Sequence, residues 1–259
     1  MIDMYVQQST MGSGIVTTAK TVRRRASARA GTPRQEAARG AADGDATRQR
    51  LVQVALDSFG RQGFEATSTR AISQRAQANI SAILYHFGGK HGLYLAVAEH
   101  IADFMGSRIA PVRTQIEAAL ASGGVDPDGA IRLVEAAIAR AAMVLAQPET
   151  EAIARFIVRE QQEPSEAFTV IYDRMMGVML PLIRRLVAIA THDDPQRDVV
   201  GLRTFTILGQ FLVFRVARAA VLRQMAWHDV GPSQVQALTK VIQHSVRAML
   251  LAARAENAK

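Results

Sequence analysis

From about residue 47 onward, apolar positions recur at intervals of three and four. No stretch alternates apolar and polar residues as a half-buried strand would. Leu51, Val52, Ala55, Leu56 and Phe59 form the first such face, which ends at Gly63, with Asp45 or Thr47 as its capping residue. A short second helix is expected over 69–76, behind the hydroxyl of Thr67 or Ser68. A third runs through Phe87 behind Asn79 and is stopped by Gly88-Gly89. A fourth starts near Lys90 and reaches about Arg108, with Leu93, Val97, Ile101 and Phe104 on one face. Longer helices are expected near 111–121, 129–146, 149–162, 165–191, 196–225 and 233–255, separated by Gly123-Gly124, Pro127, Pro148, Pro164, Asp193-Asp194-Pro195 and Gly231-Pro232. Pro181 lies inside the fourth of these and is expected to kink or split it. The pattern defines an all-α fold.

Composition narrows the chemistry. The 259 residues include no cysteine, which removes disulfides, cysteine-ligated zinc, iron–sulfur clusters and thiol catalysis together. A hydrophobic share of 49% is too high for a disordered chain, so a sizeable core can form. The net charge of +8 fits a polyanionic partner. The most apolar stretches, 178–190 and 204–216, are interrupted by Arg184 and Arg185 or by Gln210 and Arg215, and fall short of the roughly 20 apolar residues of a spanning helix. No apolar segment with a small-residue cleavage site follows the N-terminus, so the expected location is the cytoplasm, without membrane contact. Residues 1–45 read as a disordered basic tail, with seven Lys/Arg against four Asp/Glu and the run Arg23-Arg24-Arg25. Two roles fit that tail, sequence-independent attraction to phosphates and a merely solvated extension.

Three short helices and a longer one, with the second and third joined by a tight turn, make a helix-turn-helix arrangement. Leu51, Ala55, Phe59, Ile72, Ala76, Ile83 and Phe87 supply its small core. The third helix turns Ser81, Ala82 and Tyr85 outward, small or planar groups that let a helix backbone sit deep in a major groove about 12 Å wide. Thr67, Thr69, His86 and Lys90 are suitable phosphate donors on the flanks. Other roles fit some of these residues. His86 could cap its helix, Lys90 could be an ordinary cation at a helix end, Tyr85 could pack on the first helix and Ile80 could belong to the core.

The stretch Gly63-Phe64-Glu65-Ala66-Thr67-Ser68-Thr69-Arg70-Ala71-Ile72, continued by Ile83-Leu84-Tyr85-His86-Phe87-Gly88-Gly89-Lys90 and Leu93-Tyr94, resembles the signature of the TetR/AcrR regulators. Residues 77–83 and 92–98 resemble its CecR-like branch, which has a CerR-type C-terminal domain; Arg159-Glu160, Pro164 and Ala167-Phe168 resemble that domain more loosely. The resemblance implies a DNA-binding domain over 46–108, including a connector helix over 90–108, and a regulatory and dimerisation domain over 109–259. By the same resemblance, Thr67, Ser68, Thr69 and Arg70 lie where the family meets phosphate and sometimes a base edge. Ile80, Ser81, Ala82, Leu84 and Tyr85 fall on base-facing positions, and His86 and Lys90 on phosphate contacts. Gln77 stands where the family usually has glycine, which implies a less strained turn. Leu84 replaces an aromatic residue and removes one polar base contact.

Enzyme chemistry finds little support. The six histidines form no i,i+4 pair, Gly88-Gly89-Lys90 lacks the upstream glycine and strand of a phosphate loop, and no Gly-x-Ser-x-Gly elbow occurs. No metal or cofactor is implied. The C-terminal part carries candidates for a ligand pocket: Arg155, Phe156 and Arg159 on one helix, and Phe168, Tyr172, Met175, Met176 and Met179 on the next. Core packing for the methionines and a solvated face for the arginines fit the same spacing. The expected function is a homodimeric repressor, released from a palindromic operator by a small-molecule effector. The alternative is a helical ligand carrier or enzyme that retains an inactive DNA module. Dimerisation is expected through helices 196–225 and 233–255, on Leu202, Phe205, Leu208, Phe211, Leu212 and Val216 of one and Val235, Leu238, Val241, Ile242, Val246 and Leu250 of the other.

Overall fold

The computed structural model describes the backbone of residues 33–259 and the side chains from residue 42; most of the expected tail, residues 1–32, lies outside the described residues. Eleven α-helices and one π turn make up these residues, with no strand among them. They are α1 (Pro33–Ala66), α2 (Thr69–Arg75), α3 (Ser81–Phe87), α4 (Lys90–Ala121), α5 (Pro127–Leu145), α6 (Thr150–Gln162), α7 (Glu166–Ile171), the π turn Tyr172–Met176, α8 (Gly177–Thr191), α9 (Asp198–Val216), α10 (Arg218–Gln224) and α11 (Pro232–Asn257). Residues 42–259 form one compact unit.

Two hydrophobic cores divide that unit. The first gathers Leu51, Phe59, Ile72, Ile83, Leu93 and Val97 from α1–α4, and Ile153, Phe156, Ala167 and Ile171 from α6 and α7. The second joins Val112, Ile116 and Leu120 of α4 to Ile131, Val134 and Ile138 of α5, Leu186 and Val187 of α8, Val200 and Ile207 of α9, and Ile242, Val246 and Leu250 of α11. The first half of α4 lies in one core and its second half in the other, so this helix is the beam between them.

Four local expectations need correction. Residues 33–45 are helical, so Asp45 and Thr47 lie inside α1 and cap nothing. The connector helix does not end near Arg108 but continues to Ala121 through Pro111. The ring of Pro111 sits at the exposed surface, and Arg140 of α5 donates to the Arg108 carbonyl, beside the carbonyl that proline leaves unpaired. Pro181 likewise stays within α8 without splitting it. The irregularity falls earlier, in the π turn, where the Gly177 N–H reaches the Tyr172 carbonyl. The fourth concerns α9, which is long and apolar enough to cross a membrane by length and composition, and only 17% of its apolar window is buried.

The turn between α2 and α3 also departs from expectation. Gln77 has φ 51°, the left-handed conformation in which glycine is favoured. Its N–H bonds to the Gln74 carbonyl (3.1 Å) and that of Ala78 to the Ser73 carbonyl (2.9 Å), the paired closure of a Schellman motif. Without glycine the turn therefore keeps its shape and carries the strain. Ala226 after α10 repeats the motif with φ 53°. Gln77→Gly and Ala226→Gly should each stabilise the fold by about 0.5–1 kcal/mol, the left-handed penalty less the entropy cost of glycine. Thermal unfolding should then shift upward by about 1–4 °C; a fall in either variant would contradict this account.

Candidate nucleic-acid interface

α3 is a seven-residue helix with one buried side chain, Ile83, against the first core; Phe87 leans on the same core, and so does Ala82, which does not stand outward as expected because it falls beside Ile83 on the inner face. Asn79 starts it as expected: its Oδ1 accepts from the Ser81 backbone N–H (3.0 Å) and hydroxyl (2.9 Å). With its proton given to Asn79, the Ser81 hydroxyl keeps free lone pairs and faces outward as an acceptor. Ile80, Leu84 and Tyr85 are 53%, 68% and 85% exposed. That disposes of the packed alternatives for Ile80 and Tyr85. Three large apolar side chains thus stand in solvent on one short helix, with Ser81 between them.

The flanking residues differ from one another. The Ser68 hydroxyl accepts the Ala71 N–H (3.5 Å) and caps α2, while Thr69 and Arg70 follow in the first turn, with Arg70 exposed. Thr67 is corrected. It is 3% exposed, and its hydroxyl donates to the Gly63 carbonyl at 2.6 Å, so its one proton closes the α1–α2 turn and is not offered to a phosphate. His86 is partly exposed, with its ring against Tyr85 (4.9 Å between centroids). Lys90 donates to the Glu65 carbonyl at 3.1 Å and lies 4.6 Å from the centre of the Phe64 ring. Its ammonium pins the end of α1 and retains further protons for a phosphate. At Gly92 an added Cβ would lie 1.8 Å from the Phe87 carbonyl oxygen, so the α3–α4 junction requires glycine there.

Helices α1 and α4 are fastened to the C-terminal helices through α6. Rings of Phe59 (α1), Tyr94 (α4) and Phe156 (α6) pack with centroids 4.8 Å apart on either side of Tyr94. The Tyr94 hydroxyl donates to Glu160 Oε1 at 2.5 Å, and the other Glu160 oxygen accepts the Ser165 N–H (3.1 Å) and hydroxyl (2.8 Å) at the start of α7. Burial first, and then this carboxylate partner, push the Tyr94 phenol well above its ordinary pKa, so it remains a donor. Glu160 is 2% exposed, a buried carboxylate that requires all three of these bonds. A second fastening is Asp57 of α1, which meets Arg61 (2.7 Å), Arg75 of α2 (2.9 Å) and, at 3.4 Å, Arg155 of α6. Burial pushes the Asp57 carboxyl up, but the hydrogen bonds from Arg61 and Arg75 outweigh it and hold it below the usual carboxylate range. Gly60 lets α1 approach α6 closely: an added Cβ would sit 3.1 Å from the Ala152 carbonyl.

The eight expected pocket residues do not line a common cavity. Phe156 is fully buried in the first core, Arg155 is occupied by Asp57 and Glu151, and Arg159 packs over Gly63. Met175 and Met176 lean on the first core and Met179 on the second, while Tyr172 is 42% exposed beside Phe168. Their 3.6-residue spacing reflects packing. A cavity of about 350 Å³ lies elsewhere, walled by the end of α5, by α9–α11 and by Glu151 at the start of α6. Sequence reasoning missed it because Phe211, Val235, Leu238 and Ile242 were read as dimer contacts. One available signal was Arg215, a lone cation in the apolar run of α9.

An exposed helix after a tight turn, packed on the first core with α1 and α2, makes a helix-turn-helix motif. Comparison with known proteins agrees. Residues 51–97 match the model of the tetR family of bacterial regulatory proteins. Residues 130–253 match the C-terminal domain of the HTH-type transcriptional dual regulator CecR. The chain is 30% identical over 199 residues to CecR of Shigella flexneri, covering 77% of this chain and 89% of that protein. A putative TetR-family regulator from Mesorhizobium loti superposes with a TM-score of 0.53 at 19% identity, over 81% of this chain and 97% of that one. AibR, solved with isovaleryl coenzyme A and operator DNA, gives a TM-score of 0.56 at 12% identity, over 76% and 96%. The protein belongs to the TetR family of transcriptional regulators, with a CecR-type C-terminal domain.

Removing one proton donor tests the α4–α6 fastening. Tyr94→Phe leaves Glu160 buried with only Ser165 as donor and should cost about 1.5–3 kcal/mol of unfolding free energy, measured by urea titration. A loss within about 0.5 kcal/mol, the size of an ordinary surface substitution, would mean the bond contributes nothing. Acid should act on the second fastening. Asp57 has a lowered folded pKa, so its contribution is present above its unfolded value of 3.8 and is lost as pH falls through the folded one. Asp57→Asn should flatten the acid limb of stability below about pH 4. With a quarter of the carboxylate exposed, solvent keeps the change small.

Proposed function

We propose that the protein is a cytoplasmic, homodimeric repressor that leaves a pseudo-palindromic operator when a small molecule occupies its C-terminal helices. The observation that carries this reading is the outward face of α3, where Ile80, Leu84 and Tyr85 are exposed around an outward hydroxyl acceptor at Ser81. Apolar groups of this kind fit thymine methyls, and the Ser81 oxygen can accept from a base amino group. Arg70, His86 and Lys90 then serve the phosphates on either side, with Ser68 and Thr69 at the α2 end. AibR, with both an acyl-coenzyme A and operator DNA in one structure, supports the coupling of ligand to DNA in this fold.

Dimerisation rests on what the second core leaves uncovered. Ile242, Val246 and Leu250 are buried within the chain, and Phe211, Val235 and Leu238 line the cavity, so these cannot serve as contacts. Leu202, Phe205, Leu212, Val213 and Val216 of α9 remain exposed, as do Val241 and Leu251 of α11. Those of α9 fall on one face of that helix, within about 100° of arc, while α11 adds two separate exposed side chains. Two-fold pairing of these surfaces gives a four-helix interface and two copies of α3. Effector binding acts through α4 and the two α6 fastenings, and a coupling of about 1–3 kcal/mol lowers operator affinity about 5- to 150-fold.

Two experiments test the reading. Selection from a random DNA pool should enrich a pseudo-palindrome with half-site centres about one helical turn apart. Arg70→Ala and Lys90→Ala should each weaken all sequences alike and reduce the salt slope by about one, whereas Tyr85→Ala should change the selected sequence. Recovery of no palindrome would favour a ligand carrier with an inactive DNA module. Separately, Leu202→Glu with Phe205→Glu should yield a folded monomer by sedimentation that no longer binds the selected operator. A dimer persisting in that variant would place the interface elsewhere.

A further inference from the structure

The cavity walled by α9, α10, α11 and the end of α5 is mainly apolar, with Leu145, Phe211, Phe214, Val221, Leu238 and Ile242 facing it. Four charged side chains also reach it: Glu151, Arg215, Arg218 and Asp229. Three of them are neutralised on the spot. Glu151 holds Arg155 at 2.6 Å, and Arg218 and Asp229 hydrogen-bond to each other. Arg215 differs. It has no carboxylate within ion-pair distance among the described residues, and its one partner is the neutral hydroxyl of Thr150, at 3.3 Å. Burial pushes its pKa down, and the nearby Arg218 and Arg155 push the same way, with Glu151 opposing them. A guanidinium stays charged at neutral pH whatever this push. The result is a fixed, partly desolvated cation with one hydrogen bond to the protein and no carboxylate beside it, at the wall of an apolar chamber.

We infer that this cavity binds a small carboxylate with an apolar body, its two oxygens paired with the Arg215 guanidinium and its body against Phe211, Phe214 and Leu238. Resting on the reading of the protein as a ligand-responsive regulator, the assignment names the class of effector. A planar guanidinium matches a carboxylate with two parallel hydrogen bonds, and the low surrounding dielectric strengthens both. A neutral ligand could at best offer weaker, uncharged acceptors while burying the cation further. The volume, about 350 Å³, sits at the low end for ligand sites and suits a short aliphatic or single-ring acid; it is too small to enclose a whole coenzyme A thioester.

The probe pair is 4-phenylbutyrate and its isosteric amide, 4-phenylbutyramide, titrated calorimetrically into the full chain. The acid should bind about tenfold or more tightly than the amide, a difference of about 1.4 kcal/mol or more. R215Q should erase that preference and R215K should keep part of it, with circular dichroism verifying the fold of each. Should R215Q fail to fold, L238W, which fills the chamber without touching its charges, should abolish binding of both probes. Equal binding of acid and amide by the wild-type protein overturns the assignment, as does absence of binding at millimolar acid. Tighter binding of isovaleryl-coenzyme A than of phenylbutyrate overturns it too. Operator selection without ligand is read separately. Intact operator binding with no preference for the acid defeats this inference alone, whereas failure to select an operator defeats the regulator reading itself.

Discussion

A buried carboxylate holds this molecule together. Glu160 could not remain at 2% exposure without its three donors, and those donors come from α4 and from the start of α7. One residue therefore fixes the end of α6 against the helix that follows the recognition helix. Around it, Phe59, Tyr94 and Phe156 form an aromatic cluster to which α1, α4 and α6 contribute one ring each, Phe59 meeting Tyr94 edge to face. The Asp57 cluster repeats the theme at the surface, where water weakens it. With both fastenings on α6, that helix is tied to α1 and to α4 at once.

Much of the remaining surface departs from what a solitary globule would choose. α3 and the residue before it show three large apolar side chains, and α9 shows an apolar stripe, with Val241 and Leu251 exposed on α11. Burying one such side chain is worth about 1.5–3 kcal/mol, so each face represents binding energy held in reserve. The chamber beside α9 is the third such place, with its imbalance in charge as well as in packing. As proposed above, nucleic acid, a second copy of the chain and a small anion fit the three.

The sequence revealed helices and their faces because a 3.6-residue period is strong in segments as long as α4, α5 and α11. It also revealed the short helix α3 and its ends, because Asn79, Ser81 and the Gly88-Gly89 stop act over a few residues. It could not tell three kinds of apolar position apart. Leu250, Leu238 and Phe205 obey the same period, yet one is core, one lines a chamber and one is exposed. What separates them is the packing of α9 against α11 and α5, a long-range matter that periodicity does not encode. Thr67 failed for a related reason: a hydroxyl before a helix is equally suited to a phosphate and to the turn itself, and here the Gly63 carbonyl takes it. Pro111 and Pro181 misled because proline breaks a helix only where its ring and missing proton cannot be turned toward solvent or relieved nearby. Gln77 showed that a missing glycine need not mean a relaxed turn.

The first core crosses the expected boundary between the two domains. Ile153, Phe156, Ala167 and Ile171 come from beyond residue 109, yet they fill the space under α1 and α4. A head cut at residue 108 would leave Phe59 and Tyr94 facing water and Glu160 without its phenol. Grafting this head onto a relative's body, or the reverse, thus has to carry a discontinuous second segment, α6 and α7, along with the first. Changes to the outward side chains of α3 leave this shared core untouched, whereas a wholesale swap at the obvious seam cuts through it.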